Sequence, residues 1–162
     1  MVCVDTSGNW PTRGVFGAIS RKWPTVEKKY KNNKDKLSLG TPIAIKVSND
    51  QGSGPLYVSL LVCMKPSGGG KMPELDESSF EEALISVCTS VLTLQKVSIV
   101  NCPLQAMDWF KETNTTSLHM SRFSVLTPNL NWDKVERLLA EHCINKGVGV
   151  YMCVIKKSSY CL

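Results

Sequence analysis

The chain has 162 residues, of which 43% are hydrophobic, and carries a formal charge of +5. That length suits one domain with a sizeable core. No apolar run approaches membrane-spanning length and no charged-then-apolar leader opens at Met1, so neither a membrane span nor secretion is expected.

A short apolar strand, Val2 to Val4, comes first. It runs into a turn rich in Gly, Pro and Asn, and then into a helix within Val15 to about Tyr30, with apolar residues at Val15, Ile19, Trp23 and Val26 and with Pro24 placed to end or kink it. A basic run follows at Lys28, Lys29, Lys31, Lys34 and Lys36, readable as a polyanion-attracting patch or as a solvated helix end. Tyr30 is the only aromatic inside it, too few for a base-stacking platform, so direct DNA binding is not expected.

Ile43 to Val47 and Leu56 to Met64 read as strands separated by a polar turn, the second apolar enough for a central strand covered on both faces. Gly68, Gly69 and Gly70 lie in a surface loop from Lys65 to Pro73; no Gly-Lys-Ser or Gly-Lys-Thr follows to make it a phosphate loop. Ser78 or Ser79 then caps a helix with Glu81 and Glu82 in its first turn and Phe80, Ala83, Leu84, Val87, Cys88, Val91 and Leu92 at helical spacing.

Residues 96–116 are less regular and look like an insertion or divergent segment. Leu118 to Phe123 reads as a strand, Asn129 or Asn131 to Asn145 as a helix ended by Lys146-Gly147, and Val148 to Ile155 as the last strand. Strands alternating with helices predict one α/β domain over residues 1–162, with a mostly parallel sheet between helices.

The seven cysteines, at positions 3, 63, 88, 102, 143, 153 and 161, form no CxxC pair and have no His series beside them. Reduced thiols are expected rather than a disulfide framework or a zinc site, and the Asn114-Thr115-Thr116 sequon is expected to stay bare. His119 and His142 have no evident third ligand, so no metal centre is predicted. Trp10, Trp23, Trp109 and Trp132 read as core or loop anchors, and Trp10 lies inside the first loop.

Chemistry concentrates in that first loop, from Cys3 to Ile19. A strand, a Gly-rich turn and a helix start can hold an anion, because unpaired N–H groups at a helix N-terminus carry partial positive charge and Gly allows close approach. An ordinary tight strand-to-helix connection has the same composition.

The pattern Asp5-x-Ser7-Gly8-x-Trp10, then Gly14-Val15-Phe16-x-Ala18-Ile19, resembles the first ligand loop of a macro domain. Lys36-Leu37-Ser38-Leu39-Gly40, Ser117 to Arg122, and Asn131-Trp132 with Glu136-Arg137-Leu138-Leu139 follow in the family's order, from residue 3 to about residue 155. Within that family it resembles the macro domains at the C-terminal end of chromatin-remodelling ATPases. The resemblance implies a three-layer α/β/α fold with a mostly parallel mixed central sheet, here lacking the usual N-terminal strands and the adenine-reading Asp they carry.

It also implies a ligand, ADP-ribose or poly-ADP-ribose on modified proteins, a possible remodeller ATPase partner, no cofactor, and a place in the nucleus or cytoplasm. The implied binding residues are Asp5, Ser7, Gly14, Val15 and Phe16 in the first loop and Arg122, Phe123 and Ser124 in the second, which spans Arg122 to Leu130. Relatives have small residues in that second loop; Phe123 to Pro128 contains no glycine. Ile155 falls where an aromatic often stacks on adenine. In one hydrolytic subgroup a Lys and an Asp act; Lys65 matches the first, but Pro128 matches the second and can take no proton, while Asp133 reads as a first-turn helix residue. The implied activity is therefore a non-catalytic reader, with a mono-ADP-ribosyl-protein hydrolase and a vestigial protein-interaction module as alternatives.

Overall fold

The computed structural model of the chain describes residues 1–48, 56–66, 73–96, 117–121 and 131–153. Its centre is the apolar run Leu56–Lys65, strand β3, in which Leu60, Leu61, Val62 and Cys63 are wholly buried. Each fully buried aliphatic side chain contributes about 1.5–3 kcal/mol, so a strand covered on both sides anchors the fold. β1 (Val2–Asp5) pairs with it in parallel, with a register shift between Val4 and Asp5. β2 (Pro42–Val47) lies antiparallel on the other side, and β4 (Glu74–Leu75) pairs antiparallel with Met64 and Lys65 at the end of β3.

β5 (Ser117–Ser121) and β6 (Gly149–Cys153) form a second, parallel pair. The Met1 amino group donates to the His119 carbonyl, which brings β5 beside β1. The described pairings are two parallel and two antiparallel, so the strands are mixed in direction. The antiparallel step is local: β2 and β3 are consecutive and share no intervening helix.

Strand alternation sends side chains to two cores. Val4, Ile45, Val58, Leu60 and Val62 meet α1 (Gly14–Lys22) and α2 (Pro24–Asn32) through Ile19, Val26 and Tyr30. Leu61 and Cys63 meet α3 (Glu77–Lys96) and α4 (Trp132–His142) through Phe80, Leu84, Val87, Val135 and Leu139. Helices thus cover both faces of the sheet, giving three layers.

The helix expected through Tyr30 divides at Trp23, and Pro24 opens α2, where its missing N–H is not needed. α3 starts earlier than expected: Asp76, not Ser78 or Ser79, supplies the cap, its Oδ1 accepting Ser79 N at 2.9 Å and Ser78 Oγ at 2.8 Å. Glu77 occupies the first turn and Glu81 and Glu82 move to the second. Asn131 caps α4 by accepting Lys134 N at 3.2 Å, and Gly147 closes the following 3-10 turn at φ +85°. Gly40 has positive φ, and a Cβ there would lie 2.2 Å from Glu82 Oε2, so the Leu39-Gly40 turn packs directly on α3.

The expectation of uniformly reduced thiols is corrected. Cys88 and Cys143, both buried, are bonded and tie α3 to the end of α4, while Cys3, Cys63 and Cys153 are free. The two partners are 55 residues apart in sequence, with no local motif to announce them. Among the described residues no helix is long and apolar enough to cross a membrane. The triple glycine, the segment after residue 96, the sequon, Cys102, Cys161 and Trp109 lie outside the described residues.

Candidate functional site

The first loop leaves the sheet at Asp5 and enters α1 at Gly14. Asp5 Oδ1 accepts Ser7 N at 2.9 Å and Ser7 Oγ at 2.6 Å, and Ser7 Oγ accepts Asn9 N at 3.0 Å. Tyr30, wholly buried on α2, donates its hydroxyl to the Asp5 carbonyl at 2.7 Å and to Asp5 Oδ1 at 2.9 Å. Burial, and then the bonded Asp5 carboxylate, hold the Tyr30 phenol well above its usual range, so it stays a donor. The side chains of Asp5 and Ser7 are thus engaged in folding the loop.

Trp10 plugs the underside of the loop. Its ring meets Phe16 edge-on at 4.9 Å and Tyr30 at 5.5 Å, and its Nε1 donates to Ser20 Oγ at 2.7 Å, which in turn donates to Glu27 Oε2 at 2.7 Å. Glu27 also accepts from Lys31, and these two bonds lower its pKa, the one from Lys31 most. The loop's inner wall is therefore apolar and its anchors are satisfied.

The outer wall is backbone. Gly14 has φ +63°, and a Cβ there would meet nothing within 4 Å. Gly17 N, bonded to the Arg13 carbonyl at 3.3 Å, makes the first helical bond, so the N–H groups of Gly14, Val15 and Phe16 precede the bonded turn; Arg13 gives no side-chain cap. A Cβ on Gly17 would lie 2.3 Å from the Thr12 carbonyl oxygen, which makes glycine there a condition for the loop to pack on its own helix. Sequence reasoning placed Asp5, Ser7, Gly14, Val15 and Phe16 on this loop, and they are together; it missed Tyr30 and Gly17. Tyr30 bonds across 25 positions and had only its aromaticity as a signal.

Arg122, Phe123, Ser124, the rest of the second loop with Pro128, and Ile155 lie outside the described residues. Lys65 ends β3 and pairs with Asp76. That bond is the chief cause raising the Lys65 pKa and lowering that of Asp76, whose carboxylate the α3 N–H and hydroxyl groups stabilise further. Asp133 stands in the first turn of α4. His142 contacts Glu81 at 3.0 Å between α4 and α3, and His119 stacks on Tyr151 at 4.8 Å on the β5–β6 surface. A hydrogen bond that the Cys63 thiol donates to Cys3, and then burial, push its pKa up.

A three-layer sandwich with this opening strand, loop and helix is the macrodomain fold. A Streptomyces coelicolor macrodomain protein superposes at TM-score 0.63 and 17% identity over 93% of this chain and 83% of that one. The macrodomain of Mycobacterium tuberculosis DarG does so at 0.59 and 16%, over 93% and 85%. Thermosipho africanus DarTG, solved in complex with ADP-ribose, matches at 0.59 and 18%, over 96% of this chain and 38% of that one.

No family model matches the sequence. Among curated proteins it is 25% identical to mouse chromodomain-helicase-DNA-binding protein 1-like over 96% of this chain and 16% of that protein, and 24% identical to the zebrafish (Danio rerio) protein over 90% and 13%. It is 23% identical to Dictyostelium discoideum DNA ligase 3 over 96% and 12%. The chain therefore spans well under a fifth of the length of these relatives.

Proposed function

We propose that this domain is a non-catalytic reader that binds ADP-ribose, free or in poly-ADP-ribose on modified proteins, over the loop between β1 and α1. The carrying observation is Gly14: it opens α1 at positive φ with empty space where a side chain would stand, beside N–H groups that precede the first helical bond. Val15 and Phe16 continue that donor row and Asp5 and Ser7 shape it; Arg122, Phe123 and Ser124 belong to this reading through the family resemblance alone. An ADP-ribose complex of a protein with the same fold supports the ligand class.

The reader, as opposed to hydrolase, assignment rests on Lys65 and Pro128. Lys65 is held by Asp76, which already caps α3, and proline at 128 offers no proton acceptor. Relatives named for helicase and ligase functions on DNA support a setting in chromatin remodelling or DNA repair, in the nucleus, with a remodeller ATPase as a candidate partner.

Calorimetric titration tests the proposal. ADP-ribose is expected to bind at least tenfold tighter than AMP, and purified protein is expected to leave mono-ADP-ribosylated proteins intact. No heat with millimolar ADP-ribose would leave the protein-interaction reading; steady ADP-ribose release, abolished by Lys65→Ala, would establish a hydrolase.

A further inference from the structure

Loop 1 is bordered by cations that form no ion pair among the described residues. Lys34, in the 3-10 turn after α2, lays its stem over Gly8: a Cβ at Gly8 would lie 2.8 Å from Lys34 Cγ. The Arg21 Nη1 lies 3.7 Å from the corresponding position at Gly17. From Lys34 the charge continues through Lys36 and back along α2 to Lys29 and Lys28, all exposed. Val26 and Tyr30 face inward, so these lysines stand on the solvent side over about 14 Å. Lys31 is paired with Glu27, whereas Lys28, Lys29, Lys34 and Lys36 make no ion pair among the described residues.

We infer that this basic face takes the second and later diphosphates of a poly-ADP-ribose chain whose first unit lies on loop 1, an inference that rests on the binding reading above. A single ADP-ribose has one diphosphate and leaves four lysines unanswered. A polymer brings two further charges per unit, and neutralising them releases counterions, which rewards a row of cations that begins at the pocket. The one aromatic on α2, Tyr30, is wholly buried, so this face has no ring on which nucleic-acid bases could stack.

The test compares wild type with the triple variant Lys28→Gln, Lys29→Gln, Lys36→Gln, all exposed and outside the loop. Fluorescence anisotropy with poly-ADP-ribose of defined length is run over a salt series, beside titration with ADP-ribose monomer. The variant is expected to keep monomer affinity within twofold, to bind polymer about tenfold more weakly at low salt, and to lose about two units of the log–log salt slope. Unchanged polymer affinity in a variant that still binds monomer overturns this inference and leaves the pocket reading standing; a wild type that does not respond to monomer overturns both. Single-stranded RNA of equal charge binding as tightly as polymer, with the same loss in the variant, would make nucleic acid the partner instead.

Discussion

Gly14 and Gly17, three residues apart, are glycine for opposite reasons. At Gly17 there is no room, because the Thr12 carbonyl occupies the space of a side chain. At Gly14 there is room but the backbone is left-handed, so any side chain is strained and projects into the open space beside the loop. Gly14→Glu should therefore abolish ADP-ribose binding through bulk and charge at a stability cost of about 1 kcal/mol; calorimetry with circular dichroism checks both halves, and a variant that binds normally would place the ligand elsewhere. Tyr30→Phe should act from below. It removes the donor to Asp5 and should lower stability by about 1–3 kcal/mol while weakening ADP-ribose binding severalfold. A melting temperature and affinity equal to wild type would show that Asp5 and Ser7 hold the loop unaided.

At the scale of elements, α3 depends on one carboxylate with two tasks: Asp76 caps the helix and pairs with the end of β3. Its pKa is lowered from 3.8, so its stabilisation is complete above about pH 4 and fades as acid protonates the folded form. Asp76→Ala should cost about 1 kcal/mol at pH 7, and the gap to wild type should narrow below pH 4. Denaturant melts at pH 7 and pH 3 measure this; an equal gap at both would deny the carboxylate its role. Three cap-competent residues within four positions, Asp76, Ser78 and Ser79, explain why the sequence pointed to the wrong one. Elements with an unambiguous local cause were legible: β3 from its continuous apolar run, the break at Pro24 and the stop at Gly147; for α4 the sequence offered Asn129 or Asn131 and the structure uses Asn131. The site was legible only in its glycines and in the order of its motif, because the Tyr30 brace and the Cys88–Cys143 bond join positions that no local pattern relates.

In the whole molecule, each side of the sheet is fastened by its own device. The face under α3 and α4 carries the Cys88–Cys143 bond, and closing a loop of that length constrains the unfolded chain by about 2–4 kcal/mol. Thiol labelling in denaturant without reductant should leave Cys88 and Cys143 unreactive while Cys3, Cys63 and Cys153 react, and reductant should lower the melting temperature. Labelling of Cys88 and Cys143 in the untreated protein would return the pair to free thiols. The opposite face, under α1 and α2, is fastened by aromatic packing around Trp10. That placement supplies a built-in optical probe. Trp10 is shielded, hydrogen-bonded to Ser20 and packed edge-on against Phe16 beneath the first loop, whereas Trp132 belongs to the other core. A ligand that tightens the loop should change the emission of Trp10 while leaving that of Trp132 constant, so occupancy can be followed in unlabelled protein, with Trp10→Phe separating the Trp10 contribution from that of Trp23, which packs on the same core.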